Sequence, residues 1–175
     1  MKHVSKSVAE GKGKDALGNM KKDEFERLII KYQSQMYRLA LSIVKNAHDA
    51  EDVVGDAILA AYERLATLRD PSSFQSWIMT IVANRAKTFL RKRKRIELTD
   101  SFEDVTSAGN SPQEAETELW SVVMSLTEKY SKIVVLYYYF GFSTQEISKI
   151  LHLSQGTVKT RLSRAREKLK RNLEK

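Results

Sequence analysis

Ser143 to Lys170 reads STQEISKILHLSQGTVKTRLSRAREKLK, and this stretch decides the fold. Ser143 stands three residues before Glu146, the spacing at which a hydroxyl and a carboxylate each satisfy an orphan backbone donor at a helix start. Ile147, Ile150 and Leu151 give the first helix its apolar face. His152 and Leu153 make a tight corner, and Ser154 is placed to cap a second helix. There Val158, Leu162, Ala165, Leu169 and Leu173 recur at helical period. Thr160, Ser163, Arg164 and Arg171 fall opposite that stripe, with Lys159 and Thr157 on its flanks. One face packs, and the other offers hydroxyls and cations. That is the layout of a helix-turn-helix whose second helix enters a DNA major groove.

Most amphipathic helix pairs are ordinary core hairpins, so the polar face has to carry the distinction. From Gln155 onward the cations are Lys159, Arg161, Arg164, Arg166, Lys168, Lys170, Arg171 and Lys175, against Glu167 and Glu174. A solvated surface would account for part of that excess. The Ser154-x-Gly156-Thr157 start, where glycine permits close backbone approach, favours nucleic acid.

The rest of the composition agrees. The chain has 175 residues, enough for one domain or two small ones, with 42% hydrophobic and 30% charged residues. It has no Cys, which excludes disulfides and thiolate metal sites and points to the cytoplasm. No apolar run approaches the ~18 residues of a membrane span. Lys2, Lys6, Lys12 and Lys14 are not followed by the apolar segment of a secretory signal. A net charge of +8 favours a polyanionic partner through counterion release, without distinguishing DNA from RNA or an anionic membrane.

Residues 1–19 are polar, glycine-bearing and aperiodic, and read as a disordered arm. From Asp23, the series Phe25, Leu28, Ile29, Tyr32, Met36, Leu39, Ala40 and Ile43 predicts a helix of about six turns. A second helix is expected through about Leu68, burying Val53, Val54, Ala57, Ile58, Ala61 and Leu65. Asp49, Glu51 and Asp52 suit its positive N-terminus, at ~0.3–1 kcal/mol each. Asp56 lies past the first turn, so an acidic docking stripe is the second reading. Pro71 makes a loop of Asp70–Ser73. A third helix is expected from Phe74 to about Arg95, with Phe74, Ile78, Ile81, Val82 and Phe89 inward. Thr80, Asn84, Lys87 and Arg91 share another side, and Trp77 sits at the seam. Its end, Arg91-Lys92-Arg93-Lys94-Arg95, holds more cations than a helix C-terminus needs and suits a phosphate track.

Glu97–Pro112 then reads as an acidic flexible linker. Beyond it, two short helices meet near Thr127, carrying Leu119, Val122, Val123 and Leu126, then Ile133, Val134, Leu136, Tyr137 and Phe140. Gly141 is placed for a left-handed helix stop, and the run Tyr137–Phe140 for the core with phenol tips at the surface. The fold expectation is all-α: two small helical domains, 20–96 and 113–175, joined by residues 97–112. Enzyme constellations are missing: no phosphate loop and no dinucleotide fingerprint occurs, and His3, His48 and His152 lack ligand spacing. The expectation is therefore binding without catalysis, metal, cofactor or small-molecule substrate.

The motif Ser143-x-x-Glu146-Ile147 through Ser154-x-Gly156-Thr157-Val158-Lys159-Thr160-Arg161-Leu162-x-Arg164-Ala165-Arg166-x-x-Leu169 closely resembles the last domain of bacterial sigma factors of the extracytoplasmic-function (ECF) group of the sigma-70 family. Ala50-Glu51-Asp52-Val53-Val54 with Asp56-Ala57 looks like that family's core-polymerase docking segment. Phe74-x-x-Trp77-Ile78-x-x-Ile81-Val82-x-Asn84, continuing to Arg91-Lys92, is similar to its helix for the −10 promoter element. The resemblance runs from about Met20 onward. Three departures stand out: Gly55 inside the second helix, costing ~1 kcal/mol of propensity, and Lys87 and Phe140 where acids are common.

The resemblance implies a sigma factor that directs RNA polymerase core enzyme to promoters and helps melt the −10 element, with 20–96 similar to region 2 and 113–175 to region 4. It implies polymerase docking through Asp49, Glu51, Asp52 and Asp56. The −10 strand would meet Asp70, Ser72, Ser73, Trp77, Thr80, Asn84, Lys87, Arg91 and Lys92. The −35 duplex would meet Gly156, Thr157, Lys159, Thr160, Arg161, Ser163, Arg164 and Arg166. An anti-sigma factor, commonly membrane-bound in the family, is a further implied partner. Two rivals fit the residues alone: a dimeric helix-turn-helix repressor or activator, and a helical RNA-binding or membrane-surface protein using Arg91–Arg95.

Overall fold

The computed structural model describes Met20, residues 22–99 and residues 117–174. The expected N-terminal arm and most of the expected connector lie outside these residues. All regular structure among the described residues is helical.

Helix α1 (Lys22–Val44) starts with Asp23 and Glu24 and buries Phe25, Ile29, Met36, Leu39, Ala40 and Ile43. It stops at Lys45, a non-glycine residue in the left-handed region with φ 61°. Helix α2 (Ala47–Glu63) begins on Asn46, whose side chain accepts the Asp49 amide at 3.0 Å. Its buried face is mostly small, Ala47, Ala50, Ala57, Ala60 and Ala61 beside Val53 and Val54, so it sits close to its neighbours. It ends short of Leu68. A 3-10 turn over Leu65–Thr67 resets the phase there, and Leu65 and Leu68 both enter the core.

Asp70 caps a second 3-10 turn, Pro71–Ser73, that leads into α3 (Phe74–Thr99). Phe74 is the aromatic hub, with ring centres 6.1, 5.9 and 5.6 Å from Phe25, Tyr32 and Trp77. Helix α3 runs past Arg95, so the five cations lie inside it and Glu97–Thr99, assigned to the connector, are helical. The Arg93–Glu97 pair at i,i+4, 3.0 Å, supports that extra turn.

In the second half, Thr117 caps α4 (Glu118–Ser125), and α5 (Glu128–Val134) follows. A π-helical turn over Val135–Tyr139 continues α5, with Phe140 N–H donating to Val135 O at 3.2 Å. Gly141 stops it at φ 74°, as expected of a left-handed cap. Tyr138 is exposed, whereas Tyr137, Tyr139 and Phe140 are half-buried. Helices α6 (Thr144–Leu151) and α7 (Gln155–Leu173) form the helix-turn-helix. The Ser143–Glu146 capping box is complete. His152, at φ 52°, makes the corner, and Leu153 N–H closes it on Ser148 O at 3.0 Å.

The two helical domains are packed together. Helix α1 meets α5 and the π turn, and α3 meets α6. One cluster of buried side chains runs from Phe25 and Phe74 in the first domain to Ile133, Leu136, Ile147 and Leu162 in the second. A smaller one, Val123, Leu126, Tyr130, Val134, Val135 and Ala165, fixes α4 and α5 on α7.

Candidate nucleic-acid and polymerase interfaces

The outer face of α7 is built by what its inner face must do. Val158, Leu162 and Ala165 are fully or almost fully buried, which fixes the helix rotation. Lys159, Thr160, Ser163 and Arg164 are therefore exposed side by side, with Thr157 and Arg161 half-buried at the edges. Among the described residues, Lys159, Ser163 and Arg164 make no side-chain hydrogen bond or ion pair. Ser154 Oγ accepts the Thr157 amide at 3.1 Å, and Gln155 Nε2 donates to Thr144 Oγ1 at 3.0 Å, tying the two helices at their starts. Gly156 is exposed, with only Ser154 Oγ, 4.0 Å from where a Cβ would stand. Ser143 holds the Glu146 carboxyl below its usual value, chiefly through its backbone N–H and then its hydroxyl.

Arg166 differs from the other cations of this helix. Its Nε donates to Tyr138 Oη at 2.7 Å, and its guanidinium lies about 6 Å from the Tyr137 and Tyr138 rings. Tyr138 is a partner of the candidate site residue Arg166 that the sequence reading did not connect to it. It lies 28 positions away, and no local pattern links the two.

On α3, Asn84, Lys87, Arg91 and Lys92 are exposed. Arg91 is steadied by a long bond to Thr88 Oγ1, 3.4 Å. Thr80 is half-buried, and its hydroxyl donates back to Ser76 O at 2.8 Å, as helix-interior threonines do. Trp77 is half-buried against Phe74, and its indole N–H donates to Thr67 Oγ1 at 3.3 Å, so the ring is at the seam with its orientation set. Asp70 and Ser72 are bound to each other: the carboxylate accepts the Ser72 hydroxyl at 2.6 Å and its amide at 2.9 Å, and the hydroxyl first and then the amide hold the Asp70 carboxyl below its usual range. Ser73 Oγ donates to Asp70 O at 2.7 Å. The loop beside α3 is a fixed turn with its polar groups turned inward on one another.

The acidic face of α2 divides. Glu51, Asp52 and Asp56 are exposed. Asp49 is spent in an ion pair with Arg93 at 3.2 Å, which joins the start of α2 to α3. One member of the acidic stripe and one of the basic run thus neutralise each other across 44 residues of sequence.

Fold and surfaces define a two-domain helical protein of the helix-turn-helix class. Residues 28–96 match the family described as sigma-70 region 2, and residues 116–169 the family described as sigma-70 region 4. The chain is 35% identical over 138 residues to the RNA polymerase sigma factor SigV of Bacillus subtilis, covering 78% of this chain and 83% of that one. It is 28% identical over 167 residues to the ECF RNA polymerase sigma factor SigW of the same organism, covering 86% and 89%. Its fold is that of the sigma factor RpoE from Bartonella quintana, solved in complex with the anti-sigma factor NepR: TM-score 0.75, 23% identity, 87% of this chain and 98% of that one.

The chain belongs to the ECF group of the sigma-70 family. It is an RNA polymerase sigma factor that directs promoter-specific transcription initiation, and its family is one of regulatory DNA-binding proteins rather than catalysts. Among the described residues, no helix is long and apolar enough to cross a membrane.

Proposed function

We propose that the residues divide this work among three surfaces, acting by binding alone in the cytoplasm. Lys159, Thr160, Ser163 and Arg164 read base edges and phosphates of the −35 duplex, with Gly156, Thr157 and Arg161 lining the approach. Arg166, fixed by Tyr138, takes a phosphate, because a guanidinium locked to its own domain sets register better than it searches for a base. Asn84, Lys87, Arg91 and Lys92 track the −10 strand, and the rigid Asp70–Ser73 turn with Trp77 forms the wall against which an extruded base is held. Glu51, Asp52 and Asp56 dock on the polymerase, while Asp49 holds α2 to α3. Domain limits near 20–96 and 113–175 follow from the same division.

The observation that carries the reading is the contrast on α7: a buried stripe of Val158, Leu162 and Ala165 opposite Lys159, Ser163 and Arg164, which are exposed and have no internal partner among the described residues. An anti-sigma partner is included because relatives of the same fold, RpoE and CnrH, were solved with NepR and with the cytosolic domain of CnrY.

Transcription in vitro with core polymerase over a pooled promoter library tests the whole. Asp52→Lys should abolish capture of core polymerase in a pull-down while leaving the fold intact. Undiminished capture would refute the docking surface.

A further inference from the structure

Past its exposed front, α7 carries one cation that is built into the domain rather than left free. Arg166 follows Lys159 by seven positions and Ser163 by three, so the three share one line along the helix. A rise of ~1.5 Å per residue places Arg166 about 16 Å from the start of α7 at Gln155. A recognition helix meets base edges with its N-terminal residues, and the major groove is only ~12 Å wide. In that docking a side chain so far along has left the bases and faces the phosphate rim.

Its partner is presented by an irregularity. Phe140 N–H bonds to the carbonyl five residues back, Val135 O, at 3.2 Å, so this turn holds one residue more than an α-helical turn. Such π turns recur at functional sites. The extra residue shifts the phase by about 100°, and Tyr138 faces solvent while Tyr137, Tyr139 and Phe140 stay half-buried. The Tyr137 ring braces that of Tyr138 edge-on, 5.0 Å between centres. The bond from Arg166 Nε to Tyr138 Oη leaves other donors over. Among the described residues, the two terminal nitrogens of Arg166 make no hydrogen bond or ion pair, and the phenol hydrogen of Tyr138 has no acceptor. Nitrogen and oxygen held 2.7 Å apart bring a planar fork and a hydroxyl within reach of one phosphate. A phenol that already accepts from a cation is also polarised into a better donor.

We propose that Tyr138 is a DNA contact in its own right: its hydroxyl and the Arg166 guanidinium form one clamp on a single phosphate at the edge of the −35 duplex. The clamp rests on the −35 reading of α7 given above. It adds a residue from outside the helix-turn-helix to that surface, and it fixes how far along the duplex α7 sits, because a preformed donor set accepts a phosphate in one place only.

Holoenzyme binding to a promoter recovered from the pooled library, with each −35 phosphate in turn replaced by a neutral methylphosphonate, tests the clamp. In the wild type, one phosphate at the groove edge should cost about tenfold in affinity when neutralised, as loss of a hydrogen bond to a charged group does. On the unmodified duplex, Arg166→Ala should weaken binding about tenfold and Tyr138→Phe about threefold. Each variant should blunt the sensitivity at that same phosphate and at no other. Tyr138→Phe keeps the ring beside the guanidinium, and thermal melts check that its fold is unchanged. Salt separates the two roles. Arg166→Ala should lower the slope of log affinity against log salt by about 1, whereas Tyr138→Phe should leave it as it is, since a neutral hydroxyl releases no counterion. Full wild-type sensitivity at that phosphate in the Tyr138→Phe variant overturns the clamp and leaves the −35 reading standing. Blunting at two different phosphates by the two variants does the same. If no phosphate around the −35 element matters to the wild type, the −35 reading falls and the clamp falls with it.

Discussion

Arg93 and Arg164 are both surface arginines on long helices, and the molecule puts them to opposite uses. On α3, Arg93 is bound to Asp49 and Glu97. On α7, Arg164 and Lys159 point outward without an internal partner among the described residues. The two basic stretches look alike as strings of letters, and the α3 run is the denser. A count of cations therefore overstates what α3 has left for phosphates and understates what it contributes to holding the first domain together.

Four outcomes would break or sharpen this contrast. The largest is expected on α7: Lys159→Ala and Arg164→Ala should each cost ~1–3 kcal/mol of promoter affinity if they read bases bidentately. Holoenzyme binding to templates with substituted −35 bases checks it. An equal loss on every template, with a shallower salt dependence, would make them phosphate contacts.

The second concerns the cation the fold buries. Burial pushes the Lys45 amine down to about 8, partly opposed by Glu128, which is itself paired with Lys132. In the unfolded chain the amine returns to its ordinary 10.5, so between these values the unfolded form carries more protons. Raising the pH from about 8 toward 10.5 should therefore favour the folded chain, with no dependence from this group well below 8. Denaturant melts of the full chain across this range test it, and Lys45→Met should flatten the profile. Tyr139, whose phenol is pushed above its usual range by burial, partly offset by the Arg38 cation, leaves the lower part of the window clean.

Third, Ser143→Ala should cost ~1 kcal/mol of stability in the second domain through loss of the capping box. Because Glu146 is held low in the folded chain, its contribution is present above its ordinary 4.5 and lost as pH falls through the folded value. Acid melts of the variant should consequently fall off less steeply than those of the wild type below 4.5. The smallest effect belongs to Arg93→Ala, which should cost no more than ~1 kcal/mol of stability and leave promoter affinity unchanged, since exposed pairs contribute little. Thermal melts beside filter binding separate the two, and a loss of affinity comparable to that of Arg164→Ala would erase the contrast.

Local chemistry was legible in the sequence because it is written within a few residues. Ser143 with Glu146, the stripe through Val158, Leu162 and Ala165, and the turn at Gly141 all follow from i to i+4 relations. Tertiary bonds were not legible: Arg93 with Asp49, Arg166 with Tyr138, and Ser131 with Ser42 join residues 28 to 89 positions apart. Helix ends failed where tertiary burial overrode pattern. Leu65 and Leu68 fit a continued α2, yet both reach the core only after the 3-10 turn shortens it. The close packing of the two domains was also hidden, because an apolar residue at a seam looks the same as one within a domain.

The alanine-rich inner face of α2 has a further result. With methyl groups as its only spacers along much of its length, this helix has almost no room to slide or rock, so the carboxylates on its outer side keep a fixed spacing, like teeth on a rail. Saturation mutagenesis should find that the rail tolerates varied outward residues yet rejects one added methylene at Ala50, Ala57 or Ala61, each wholly buried, because overpacking there shifts every tooth at once.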